Sequence, residues 1–87
     1  SSNYIKYQRI IGSAIESDAP LYGGKKIKMK LARKVKFYSY YFKNSGGMGY
    51  RRISRSQARS RISSYERYCT LKIKNGKVIK IYIEYLP

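Results

Sequence analysis

Arg51, Arg52, Arg55, Arg59 and Arg61 fall within the run "RRISRSQARSRISSYERY" (51–68), which holds six arginines and five serines among eighteen residues. A guanidinium offers a planar fork of donors that matches the oxygens of a phosphate in pairs, so arginines at this density suit a phosphodiester backbone. A second basic set lies in "KKIKMKLARKVKFYSYYF" (25–42), where Lys26, Lys28, Lys30, Lys34 and Lys36 all take even positions. A third, Lys72 and Lys80 with Tyr82, lies near the C-terminus. The chemistry these residues suit is phosphate neutralisation, with tyrosine available to stack on bases. Nucleophile and base pairs, paired catalytic carboxylates, a phosphate loop and a dinucleotide fingerprint are all missing from the sequence, so no catalytic residue is assigned and an ordinary metabolic enzyme is not expected.

Composition points the same way. Lys and Arg number 20 against 4 acidic residues, a formal charge of +16 on 87 residues. Self-repulsion at that density destabilises the folded state unless an anion is bound. The expected partner is therefore a polyanion: nucleic acid first, RNA before DNA, then an anionic membrane surface, then an acidic protein. Histidine is absent and Cys69 is the single cysteine. That rules out an internal disulfide and a cysteine-ligated zinc module, and with carboxylates only at Glu16, Asp18, Glu66 and Glu84 no metal or other cofactor is expected. No small-molecule substrate is evident. The longest apolar run is far short of the ~20 residues that span a bilayer, and no leader pattern is seen, so the expectation is a soluble, intracellular or particle-associated protein. Eleven tyrosines stand beside no tryptophan. Strand propensity and base stacking both explain them, and composition alone leaves that choice open.

The elements that must carry these residues are read from period and punctuation. One domain covers 1–87. Apolar residues near the N-terminus fit helical and alternating templates almost equally, with a short strand favoured. Residues 16–24, with a proline and a glycine pair, mark a loop. In 25–42 Ile27, Met29, Leu31, Val35, Phe37 and Tyr41 take odd positions opposite the even lysines, which is the period of a strand. At ~3.3 Å per residue a straight strand would run roughly 60 Å, too long for this domain, so a bend or bulge is expected at 32–34. Residues 43–50, with three glycines, read as a flexible loop. Around Asn75-Gly76 two alternating runs form a C-terminal hairpin. A longer turn with a bulge at Gly76, pairing Leu71 with Ile79 and Cys69 with Ile81, gathers the apolar residues on one face, leaving Thr70, Lys72, Lys74, Lys80, Tyr82 and Glu84 outside. The expected fold is α+β: a small antiparallel sheet of three to five strands packed on one principal helix, about 54–66.

That helix has its own start signal. Ser54 followed by Gln57 is a capping box, and Ala58, Ile62, Tyr65 and Cys69 then form one apolar stripe. The other residues do not favour a helix: serines lower its propensity, and Arg55 and Arg59 repel at i, i+4. The arginines are therefore assigned to binding, with phosphate also suited to the helix N-terminus.

"SRSQARSRI" followed by "NGKV" resembles the RNA-binding module first known from small-subunit ribosomal protein S-four, through Ser54, Arg55, Ser56, Gln57, Ala58, Arg59, Ile62 and the turn Asn75, Gly76, Lys77, Val78. The interval between helix and turn is longer here than in that family. The resemblance implies an RNA partner; other proteins of a ribonucleoprotein or virion are a further expected class of partner. Two other function classes compete. The C-terminal "SSYERYCTLKIKNGKVIKIYIEYLP" is similar to the closing hairpin of RelE-type toxins, which implies a histidine-free ribonuclease. The charge also suits a virus-encoded inhibitor or assembly protein that docks on an acidic protein surface.

Overall fold

The computed structural model describes residues 2–10, 21–22, 26–27, 30–62 and 67–85. In chain order the elements are β1 (Ser2–Ile10), β2 (Leu21–Tyr22), β3 (Lys26–Ile27), β4 (Lys30–Phe42), β5 (Met48–Ile53), α1 (Arg55–Ile62), β6 (Arg67–Lys74) and β7 (Lys77–Ile83). They build an α+β domain whose single sheet runs β3-β2-β1-β6-β7-β4-β5. Five strands carry it. β2 and β3 are two-residue additions at one edge.

The sheet is mixed, which corrects the antiparallel expectation: β4 and β7 pair in parallel, and the remaining ladders are antiparallel. Parallel neighbours need a crossover, and β5, α1 and β6 together supply it. Alternation fixes which side chains share a face but carries no information on strand direction, so the sequence pattern was equally compatible with either. β7 sits between β6 and β4 and contributes Val78, Ile81 and Ile83 to the core.

One face of the sheet is apolar and covered by α1. Val35 and Phe37 of β4, Ile53 of β5, Cys69, Leu71 and Ile73 of β6, and Ile10 of β1 are buried there with Ala58 and Ile62 of the helix. The helix starts as its sequence requires: the Gln57 N–H donates to Ser54 Oγ at 3.0 Å, and the Ser54 N–H donates to Gln57 Oε1 at 2.9 Å. Two helical turns are marginal in isolation, so burial of Ala58 and Ile62, one turn apart, holds α1 in place. Tyr65 lies outside the described residues. Cys69, expected at the end of the helical stripe, is instead buried in β6, paired with Ile83.

Residues 48–53, expected as loop and helix approach, form β5. It pairs Tyr50 with Tyr40, Arg51 with Ser39, Arg52 with Tyr38 and Ile53 with Phe37. The β4–β5 loop is correspondingly short, closed by Lys43 N–H to Gly47 O and Gly46 N–H to Lys43 O, both 3.0 Å, with Gly46 and Gly47 at φ 93° and 83°. β5 escapes a hydrophobic template because it is an edge strand with one buried residue, Ile53. Charges at Arg51 and Arg52 also discourage a further strand from adding there.

The long alternating run behaves as its length demands. It is divided into β3 and β4, and the β4–β7 register slips between Leu31 and Lys36. The C-terminal hairpin gathers the intended face by a different route. Asn75 and Gly76 form a two-residue turn at φ 53° and 74°, closed by Lys74 opposite Lys77. Ile73 pairs with Val78, and the extra residue is Ile79, beyond which Lys80 faces Lys72 and Ile81 faces Leu71. The bulge thus sits in β7 rather than at Gly76, because it restores the buried face without opening a favourable turn.

Candidate nucleic-acid interface

The face of the sheet turned away from α1 collects side chains from five strands in register. Lys72 stands opposite Lys80, and Lys80 opposite Lys36. One step towards the hairpin turn, Lys74 stands opposite Lys77, and Lys77 opposite Lys30. Alternation within β6 puts both rows on one face: Leu71 and Ile73 point into the core, and Lys72 and Lys74 point away. Each row is three lysines wide. Like charges directly opposite one another oppose pairing, so the sheet carries a local cost that a bound polyanion relieves.

Towards the other end of the strands the same face turns aromatic. Tyr38 and Tyr82 are cross-strand partners and stack at 4.8 Å between centroids, 18° apart. Arg52 stands opposite Tyr38 on the β5 side. Lys80 Nζ lies 5.6 Å from the Tyr38 ring centre and Lys72 Nζ 5.7 Å from that of Tyr4. Beyond them Tyr40, Phe42 and Tyr85 form an edge-to-face cluster, with centroids 5.1–5.8 Å apart. The face therefore grades from ammonium groups at the turn end, through mixed Lys–Tyr contacts, to rings.

A hollow of about 490 Å³ opens within this face. Tyr4, Lys6 and Tyr7 of β1 form one wall. Thr70, Tyr82, Glu84 and Tyr50 form the floor and the opposite wall. β1 makes room by a bulge between Ile5 and Gln8, where Tyr7 adopts φ 54°, a left-handed conformation that few bulky residues take. Glu84 is only 7% exposed and is held from both sides: Tyr50 OH donates to Oε1 and Thr70 Oγ1 donates to Oε2. Its own N–H donates to Tyr68 O at 3.0 Å. Partial burial, followed by the hydrogen bond and charge of Glu84, raises the Tyr50 phenol above its ordinary value. Burial, followed by nearby Tyr4 and Tyr38, likewise raises Tyr82.

The arginines of the helix occupy the other side of the molecule. Arg61 Nη1 donates at 2.7 Å to Ser39 Oγ, which is 1% exposed on the helix face of β4. The Arg55 guanidinium lies 5.3 Å from the Phe37 ring centre. Arg59 is exposed on the same helix. Arg51 belongs to the helix face of β5, its guanidinium 4.1 Å from the Tyr41 ring centre. The sequence-derived set is thus split. Lys30, Lys36, Lys72, Lys80, Tyr82 and Arg52 come together on the open face, whereas Arg51, Arg55, Arg59 and Arg61 do not join them. Lys34 is exposed within the irregular part of β4. Lys26 is a β3 residue paired with Tyr22, and Lys28 lies outside the described residues.

Sequence reasoning placed Lys74 on this face without assigning it to binding, and missed Lys77, Tyr38 and Tyr4 as members of the surface and Glu84 as the anchor of the hollow. Lys74 and Lys77 had a signal, since they flank the Asn-Gly turn and must face one another across it. Tyr38 had none, because strand order decides its neighbours. Among the described residues no group of three or more His, Cys, Asp or Glu is placed to hold a metal ion, and no helix is long and apolar enough to cross a membrane. The chain matches no family model, no curated protein and no solved structure.

Proposed function

We propose that the protein binds single-stranded nucleic acid, RNA in preference to DNA, across the open face of its sheet. The observation that carries this reading is the coincidence, on one face, of two rows of three lysines with a stacked tyrosine pair. Lysine ammonium groups neutralise a backbone, and half-exposed rings such as Tyr38 and Tyr82 stack on bases that are free of a duplex. A duplex hides its bases, so rings on an open sheet serve a single strand better. Lys30, Lys36, Lys72, Lys74, Lys77 and Lys80 hold the phosphates, Tyr38 and Tyr82 take bases, and Arg52 extends the track at the β5 edge. The preference for RNA follows from its single-stranded loops and ends, whose unstacked bases are received on aromatic side chains. Arg55 and Arg61 serve the fold first, anchoring α1 through Phe37 and Ser39. A second basic patch around Arg59 suits a neighbouring part of a larger ribonucleoprotein.

The test is the salt dependence of binding to a short oligouridine. Single-stranded ligands lose affinity with a slope of about −0.7 per phosphate neutralised, so six lysines predict a log–log slope near −4. A slope near zero rejects the reading. Cleavage of the oligomer during incubation would redirect it to a ribonuclease, and exclusive affinity for an acidic protein would redirect it to an inhibitor.

A further inference from the structure

The hollow beside the tyrosines has a polarity that the lysine rows do not share. Its one carboxylate, Glu84, is the sole acidic residue among those described. It is buried in a chain of net charge +16, yet among the described residues its side-chain donors are two hydroxyls, with no lysine or arginine hydrogen bond. An ionised carboxylate can only accept, so the Tyr50 and Thr70 protons are committed to it. Both hydroxyl oxygens are thereby left as acceptors, as are the remaining lone pairs of Oε1 and Oε2. These acceptor oxygens of Glu84, Tyr50 and Thr70 line the hollow together with Tyr4, Tyr7 and Tyr82. The volume, about 490 Å³, lies in the range of sites that enclose a small organic ligand, roughly 300–1,000 Å³.

We propose that this hollow takes one unstacked guanine base, with Glu84 accepting from its N1–H and 2-amino group. The inference rests on the nucleic-acid reading above and adds base specificity to it. Among the bases, guanine presents two donors side by side, the pattern that a carboxylate accepts in a parallel pair. Uracil presents one N–H flanked by two carbonyl oxygens, which would meet the acceptor floor with like polarity. Adenine and cytosine offer an amino donor beside a ring acceptor and satisfy half of the pattern. The aromatic walls supply sandwiching, and Lys6 at the rim is placed for the phosphate of the same nucleotide. The bulge at Tyr7 brings its ring to the wall, at the strain of a left-handed residue.

Two oligomers decide it: oligouridine, and the same oligomer with one central guanosine, bound at a fixed low salt concentration. A bidentate base contact predicts a preference for the guanosine oligomer of roughly ten- to a hundredfold. In Glu84→Gln, checked for folding by its thermal melt, that preference falls to within about threefold while the salt slope is unchanged. Should Glu84→Gln not fold, Tyr50→Phe provides the second variant, with the preference reduced and phosphate binding retained. Equal affinity of the wild-type chain for both oligomers overturns the inference and leaves the nucleic-acid reading standing. Binding of neither oligomer overturns that reading. Titration with guanosine and uridine 5′-monophosphates then decides the hollow alone: shifts of the Thr70 and Glu84 amide resonances with guanosine only support it, and equal shifts or none reject it.

Discussion

Lys80 faces Lys72 on one side and Lys36 on the other, so replacing it by glutamate changes two repulsive cross-strand pairs into two attractive ones. Cross-strand charge pairs are worth roughly 0.2–1 kcal/mol each, and like pairs cost a similar amount. Against that stands the loss of the Lys80–Tyr38 cation–π contact, about 0.5–1 kcal/mol. The net expectation for Lys80→Glu is a gain centred near 1.5 kcal/mol, within a span of about 0–3.5 kcal/mol, at low ionic strength. For a chain of this length each kcal/mol moves Tm by roughly 4–8 °C, so a gain of about 1.5 kcal/mol raises the melt by about 6–12 °C. Affinity for single-stranded RNA moves the opposite way, and the salt slope becomes shallower by at least about 0.7, the share of one phosphate. The assay pairs calorimetric or circular-dichroism melting with fluorescence-anisotropy binding, both with and without added salt. A protein that is more stable and binds less is the signature of a site whose charges are kept for a ligand. Lower stability together with unchanged binding would refute the assignment of the lysine rows to an anion.

Other outcomes follow from the same geometry. Ser54→Ala removes the hydroxyl that accepts from the Gln57 N–H, and the thermal melt should report a loss of about 1 kcal/mol with no change in RNA affinity. Tyr38→Ala separates stacking from charge: it should weaken RNA binding by roughly 1–3 kcal/mol while leaving the salt slope unaltered. Tyr50 and Tyr82 have folded pKa values above the ordinary value of about 10, so they stay protonated after exposed tyrosines have ionised. The folded state then binds more protons than the unfolded one, and stability, complete below pH ~10, should fall as pH rises from there towards the folded values. A phenolate absorbance titration in which all eleven tyrosines ionise together near pH ~10 would contradict this.

Much of the domain could be read from residue order because local rules governed it. Ser54 and Gln57 mark the helix start through a reciprocal hydrogen-bond pair that needs no tertiary partner. Asn75-Gly76 marks its turn because both residues must adopt positive φ. The break in the long basic strand follows from length alone. What remained hidden depends on strand order. Tyr38 and Tyr82 are 44 positions apart in sequence and stack only because β4 and β7 are parallel neighbours. Lys30 and Lys77 become one row for the same reason. The arginines illustrate the opposite case. Their density in sequence suggested one surface, but α1 packs on the apolar face and takes Arg55 and Arg61 to the side opposite the lysines. Glu84 was invisible as a site because a lone carboxylate acquires meaning from Tyr50 and Thr70, neither of which is near it in sequence.

The central claim is that the open face, rather than the arginine helix, receives the nucleic acid, and backbone-amide NMR during titration with a short single-stranded RNA tests it most directly. The largest shifts are expected at Lys36, Tyr38, Lys72, Lys80 and Tyr82, with residues 55–62 of α1 little changed. Shifts concentrated in α1, with the β4, β6 and β7 amides unmoved, would contradict it.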